Sequence, residues 1–383
     1  MTEKLYYVDA YISEFTATVT GCDKCDVGYR ITLDKTAFFP EEGGQTADSG
    51  YISNAFVSDV REIGEYIYHY TDKPLLVGEC VACKLNFEQR FEKMQLHTAE
   101  HIVCGIIHKL WGYENVGFHL GDDVVTFDVD SPMSREMLDM VEDEANLSVV
   151  RNLRVSTSFP SAFQLAEMKY RSKLDIKDGI RIVTIGDVDN CACCAPHVNM
   201  TGEIGVIKIL DFEKHRGGCR IYLTAGKRAF ADYRRRYELT KKISGALSRP
   251  QFEIDSAVDE LLVECDGLRY QLKMAQLNTV KLLADKEMPV DGCKVFDIPN
   301  VGTESLREFC NIMGEKSRGV VVAISGADSL YRFVMYSGNN DISDVVKPAT
   351  ATLGGKGGGR GAMATGTFTS DAFEIRRYFE NCL

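Results

Sequence analysis

Residues 86–112 read NFEQRFEKMQLHTAEHIVCGIIHKLWG, and His97, Thr98, Ala99, Glu100 and His101 sit at the centre of that stretch. Phe91, Met94, Ala99, Ile102, Ile106 and Leu110 recur every three to five residues. That is the period of an amphipathic helix. On such a helix His97 and His101, four apart, share one face, the usual way a helix offers two nitrogens to zinc. Far downstream, CACCAPHV at 191–198 repeats the four-residue spacing with Cys193 and His197. Three imidazoles and one thiolate form a donor set suited to Zn²⁺. Cys191 and Cys194 flank Cys193 as alternative donors, and only the spacing to His197 favours Cys193. The first pair also spells H-x-x-E-H, the inverzincin metallopeptidase signature with glutamate as general base. That reading requires an acidic ligand downstream and leaves Cys193 and His197 without a role.

Outward from this helix the pattern changes. Residues 1–85 alternate in short runs (Leu5–Val8, Tyr29–Leu33, Glu65–His69, Val81–Leu85) between Gly- and Asp-rich turns. They are expected to close into a small β-barrel. The loop FFPEEGGQTADSG at 38–50 interrupts them. Residues 86–226 mix strands (near 118–129, 180–185, 204–210 and 219–224) with helices (134–150 and 161–170), an α+β layer domain. Residues 227–285 are expected to be a helical linker broken at Pro250. Ile254, Val258, Leu261, Cys265, Leu268, Leu272, Ala275, Thr279 and Leu282 follow a heptad spacing there. That is either the seam of a homodimeric coiled coil or a hairpin with helix 227–248. Residues 286–383, with runs at 295–298, 320–324 and 331–336, a Gly-rich loop at 354–361 and a closing helix, read as a small α/β domain.

The 383 residues are 45% hydrophobic, enough to bury several cores, and carry a net charge of −12. Such a chain does not bind polyanions over its whole surface. No apolar run is long enough to cross a membrane, and MTEKLYYVDAYISEF has no signal-peptide core. Thirteen cysteines in such a chain argue for a reducing compartment, the cytoplasm. Cys22 with Cys25, and Cys80 with Cys83, are read as free thiols before a second metal site. Residues three apart on a strand face opposite sides.

The charge is unevenly spread. Residues 205–250 hold twelve Lys or Arg, among them Arg234, Arg235 and Arg236, against four acids. That segment carries +8 and leaves −20 for the rest. Lys356 and Arg360 flank Gly357, Gly358 and Gly359 in a second basic stretch without acids. Both are expected to grip an RNA backbone.

In chain order, the 38–50 loop, HTAEHIV, FHLGDDVVTFDVD at 118–130, CCAPHVNMTGEIGVIKIL at 193–210 and RIYLTAG at 220–226 together resemble the editing domain of alanyl-tRNA synthetase and the freestanding AlaX trans-editing proteins. GGKGGGRGAMATG at 354–366 resembles the glycine-rich motif of the DHH-associated domain, which makes the whole chain similar to the long AlaX type. The resemblance implies zinc held by His97, His101, Cys193 and His197. It implies hydrolysis in trans of tRNA(Ala) mischarged with serine or glycine, a second sieve for side chains that an alanine pocket admits. It places Gly43, Gly44 and Gln45 against the terminal adenosine or aminoacyl group, with Gln45 catalytic. Where the synthetases often carry Thr, this chain has Glu100, which is expected either to assist a water and contact the substrate or to orient a metal-bound histidine. A tRNA-binding module without catalysis is the reading from another class.

Overall fold

The computed structural model describes residues 1–121, 124–172, 179–338 and 341–382. Asp122 and Asp123 of the quoted motif lie outside the described residues. The chain forms two compact units, Met1–Leu239 and Thr240–Leu383, each mixing helices with sheets.

The first unit begins with β1 (Glu3–Lys4), β2 (Glu14–Cys25), β3 (Gly28–Leu33), β4 (Lys35–Thr36), β5 (Gly50–Ile52), β6 (Ala55–Ile63), β7 (Tyr66–Thr71) and β8 (Cys80–Leu85). Six of these close into a barrel in the order β2-β3-β7-β6-β5-β8, every pair antiparallel. Strict alternation explains the closure. In β8, Val81, Cys83 and Leu85 point inward and the residues between them outward. Cys80 and Cys83 therefore face opposite sides and share no site. Leu5–Val8, expected as a strand, instead contains a 3₁₀ turn over Leu5–Tyr7. The turn buries Tyr6 edge-on against Phe39.

Helix α1 (Phe87–Trp111) starts where the Asn86 side chain accepts the Gln89 N–H and stops where Gly112 turns left-handed at φ 73°. It is followed by β9 (Asn115–Leu120), β10 (Val125–Val129), α2 (Arg135–Val150), β11 (Val155–Ser158), α3 (Ala162–Glu167), β12 (Ile182–Ile185), β13 (Asp189–Ala192), β14 (Ile207–His215), β15 (Gly218–Ala225) and α4 (Gly226–Leu247). β14-β15-β10-β9 and β11-β12-β13 form two antiparallel sheets. Ile102, Val103, Ile106 and Ile107 of α1 enter one core with Leu120, Phe127, Ile221 and Leu223 of the larger sheet. Strands β11 and β13 are absent from the sequence reading; each is only four residues long.

Between barrel and α1, Arg90 is fully buried beside Asp48, bonded through Nε to both carboxylate oxygens. Its Nη atoms donate to the Ala10 and Ala37 carbonyls. Lys93 Nζ donates to the Thr46 and Ala47 carbonyls, 3.2 and 2.6 Å away. The 38–50 loop is thus clamped onto α1 by charge. Removing one member of such a buried pair costs about 3–5 kcal/mol.

The second unit holds α5 (Ile254–Lys286), β16 (Cys293–Asp297), α6 (Thr303–Lys316), β17 (Val320–Ala327), β18 (Leu330–Ser337), α7 (Ser343–Leu353), β19 (Lys356–Arg360), β20 (Met363–Phe368) and α8 (Ala372–Cys382). The sheet order is β16-β17-β18-β20-β19. Alternate residues of β17 enter separate cores on the two faces: Val321 and Ala323 with α6, Val322 and Ile324 with α7 and α8. The Gly-rich stretch expected as a loop is an edge strand. A Cβ on Gly357 or Gly366 would stand 2.5 or 2.6 Å from the Phe333 ring, so these glycines serve close packing. Along α5 the heptad residues Val258, Leu261, Leu268, Leu272 and Leu282 are exposed. Among the described residues, no helix is long and apolar enough to cross a membrane.

His69 sits wholly inside the barrel, between Thr36 Oγ1 at 2.8 Å and the Ile31 carbonyl at 3.2 Å. Burial pushes its pKa down to about 4 against the ordinary 6.5. The unfolded chain therefore binds the extra proton first. Stability is complete above pH 6.5 and falls as pH drops toward 4, by up to about 1.4 kcal/mol per pH unit. Urea unfolding between pH 7 and pH 4 is expected to show this slope in the wild type and a shallower one in His69→Gln.

Candidate metal centre

His97 and His101 project from α1, and Cys193 and His197 lie on the chain that leaves β13. Their four donor atoms lie within 4.8 Å of one another. The His97 and His197 Nε2 atoms stand 3.6 and 3.4 Å from Cys193 Sγ. The three imidazoles are nine-tenths or more buried, and Cys193 is partly exposed on a cavity wall. The two sequence pairs, 96 residues apart, meet because Cys193 packs against both the barrel core and the α1 core.

Each imidazole is turned by a hydrogen bond on its far nitrogen. His97 Nδ1 donates to Gln45 Oε1 at 2.9 Å. His101 Nδ1 donates to Asp189 Oδ2 at 3.1 Å, and Arg171 holds both oxygens of that carboxylate at 2.8 Å. The Thr98 hydroxyl donates to the Met94 carbonyl at 2.7 Å, which leaves its oxygen to accept from His197 Nδ1 at 3.0 Å. Each ring thus spends Nδ1 on its partner and turns Nε2 to the cluster side, the orientation a metal site requires. The donor set therefore fits one zinc ion through His97, His101, Cys193 and His197.

The electrostatics of Cys193 agree with this donor set. Burial alone would push the Cys193 thiol up, but the imidazoles of His97, His197 and His101 outweigh it and hold it well below the usual thiol range. Burial likewise disfavours charge on His101, yet Cys191, Asp189 and Cys193 raise its pKa well above 6.5. His197, dominated by burial, falls to about 3. Asp189 stays ionised because His101 and Arg171 offset its burial.

Next to the cluster opens a cavity of about 300 Å³, lined among others by Tyr7, Glu42, Gly43, Glu100, Arg171, Arg181 and Cys194. Glu100 is buried in its wall. Asn115 Nδ2 donates to Glu100 Oε1, and Oε2 lies 3.9 Å from His101 Nε2. The carboxylate faces the donor side of the cluster, and the orienting role expected as its alternative falls to Asp189. Gly43 lines the cavity. Gly44, at φ 83°, leaves no room for a Cβ against Phe118. Gln45, expected against the substrate, is instead wholly buried behind His97. Among the described residues the four-donor cluster holds no acidic ligand of the kind the metallopeptidase reading requires; Asp189 groups with His101 and Cys191 and is turned to His101 Nδ1 and Arg171. Asp189, Arg171 and Thr98 escaped the sequence reading. Only Thr98, beside His97, had a local signal.

The basic residues lie elsewhere. Arg234, Arg235 and Arg236 are exposed on α4, outside the cavity. Much of the segment's charge is internally paired: Lys208 with Glu142, Arg220 with Asp128, Lys227 with Glu88, Arg228 with Glu92, Arg236 with Asp232 and Arg249 with Glu260. Arg234 and Arg235 make no ion pair among the described residues. Lys356 and Arg360 are exposed at the ends of β19, in the second unit.

The first unit thus sets a His₃Cys cluster between a barrel and an α+β layer. The family described as threonyl and alanyl tRNA synthetase second additional domain matches residues 180–222. The alanyl-tRNA editing protein AlaX-L of Pyrococcus horikoshii is 28% identical over 98% of this chain and 96% of its own. The alanyl-tRNA editing protein Aarsd1 of Rattus norvegicus is 30% identical over 72% of this chain and 70% of its own. The alanine–tRNA ligase of Pyrococcus abyssi is 30% identical over 95% of this chain, which spans 42% of that enzyme. The chain belongs to the alanyl-tRNA editing protein family.

Replacing Asp189 with Asn weakens the hold on His101. The expected result is a 10- to 100-fold loss of zinc affinity, read by competition with a chromophoric chelator. Unchanged affinity would show that Asp189 does not set the ligand.

Proposed function

We propose that the chain is an aminoacyl-tRNA deacylase that hydrolyses, in trans and with one zinc ion, the ester joining serine or glycine to tRNA(Ala). The observation that carries this reading is the placement of Glu100 on the donor side of the His97–His101–Cys193–His197 cluster, in the wall of a cavity, in a member of an alanyl-tRNA editing family. Zinc bound by these four residues would supply Lewis acidity at the ester carbonyl.

The chain's own groups do the rest. Glu100 takes a proton from the attacking water and returns it to the departing ribose oxygen. Asn115 orients the carboxylate by donating to Oε1. Gln45, Asp189 and Thr98 keep the imidazoles in one tautomer through the cycle. The cavity, with its partly apolar wall, limits bulk water at the ester. On α4, Arg234 and Arg235 hold phosphates of the tRNA body, as the basic ends of β19 would.

Deacylation of Ser-, Gly- and Ala-tRNA(Ala) with and without chelator tests this. The expected outcome is turnover of the serine and glycine esters, its loss on chelation and its return with zinc. Full activity after complete chelation would overturn the zinc role, and inactivity on all three esters would overturn the function. Glu100→Gln is expected to lower kcat about 10²- to 10⁴-fold with zinc content unchanged. Replacing Arg234 and Arg235 together with Ala is expected to weaken tRNA binding and to flatten the slope of log K against log salt by about 1.5. Unchanged affinity and slope would remove α4 from the interface.

A further inference from the structure

Arg90, Arg171 and Arg181 are each at least nine-tenths buried in the first unit. Two have a carboxylate partner: Arg90 has Asp48 and Arg171 has Asp189. Arg181 has none among the described residues. Its Nη1 donates to the Cys193 and Ala195 carbonyls, at 2.9 and 2.8 Å. Its Nε is buried without any hydrogen-bond partner. The guanidinium lies 5.3 Å from the centre of the Tyr7 ring. Both Arg181 and Tyr7 line the cavity beside the metal cluster. Glu42 and Glu100 line it too, but neither ion-pairs with Arg181.

A buried, unpaired guanidinium is costly, and burial lowers the pKa of Arg181 from its ordinary value. Two backbone carbonyls satisfy one of its nitrogens, and no carboxylate among the described residues pairs with it. Such a group in a cavity wall is a built anion site, because a guanidinium fork binds phosphate oxygens in two-point fashion. Resting on the deacylase reading, the anion can be assigned. An aminoacyl ester at the 3′ end of a tRNA lies one ribose away from the phosphate that precedes the terminal nucleoside.

We propose that Arg181 binds the phosphate on the 5′ side of the terminal nucleoside, so that the cavity takes an aminoacyl nucleotide and discriminates against an aminoacyl nucleoside. The ester is thereby fixed at the cluster by a contact that the amino acid side chain does not influence.

The test uses the full zinc-loaded chain. AMP and adenosine are titrated by calorimetry, and hydrolysis of 3′-seryl-AMP is compared with that of 3′-seryl-adenosine. The wild type is expected to bind AMP at least about tenfold more tightly than adenosine and to hydrolyse the phosphate-bearing ester with about tenfold higher kcat/KM. Arg181→Met, with zinc content verified, is expected to bring both ratios close to one. Equal wild-type affinity for AMP and adenosine would overturn the proposal. So would ratios that survive in Arg181→Met, or a variant that loses activity on both esters equally with zinc retained. Should Arg181→Met fail to fold or to hold zinc, the wild-type ratios decide. Failure to hydrolyse either ester, with the AMP preference intact, counts against the deacylase reading and not against the phosphate site.

Discussion

Three imidazoles and a thiolate can be kept together in a protein interior only if each ring is prevented from turning. That constraint organises the first unit. Each ring's Nδ1 is committed to a different partner, Gln45 from the loop after β4, Asp189 from β13 and Thr98 from α1 itself. The partners come from three separate segments, so the cluster exists only when barrel, helix and small sheet are assembled. The buried Arg90–Asp48 pair and Lys93 serve the same end, because they fix the loop that delivers Gln45. The 38–50 loop therefore belongs to the metal centre more than to the substrate pocket.

What was legible in the chain follows from locality. His97 and His101 sit four apart on a helix whose apolar period is unmistakable, and Cys193 and His197 repeat the spacing. Such patterns survive folding because the helix and the turn that produce them are set by neighbours. Asp189, Arg171 and Arg181 carried no local pattern. Their roles arise where strands from distant parts of the chain meet, at separations of 88 residues for His101 with Asp189. Gln45 was found for its place beside two glycines, yet faces His97. The glycines around 357 suggested a loop, and the flat face of Phe333 explains a strand instead. A count of Lys and Arg cannot see that Arg220, Arg228 and Arg236 have carboxylate partners.

The acidic body and the Arg181 guanidinium in the cavity wall are compatible with one substrate. Surface repulsion limits indiscriminate association with nucleic acid, while charge in a low-dielectric pocket acts strongly at short range. Glu100 and Arg181 both line that pocket, with Glu100 on the donor side of the cluster. Asn115 donates to Glu100, and two backbone carbonyls accept from Arg181.

The claim on which the rest depends is that His97, His101, Cys193 and His197 hold one zinc ion. Zinc K-edge X-ray absorption of the purified protein tests it most directly. The account expects one zinc per chain, with one sulfur near about 2.3 Å and three nitrogens near about 2.0–2.1 Å. A shell without sulfur, or one with several sulfurs from Cys191 and Cys194, would contradict it.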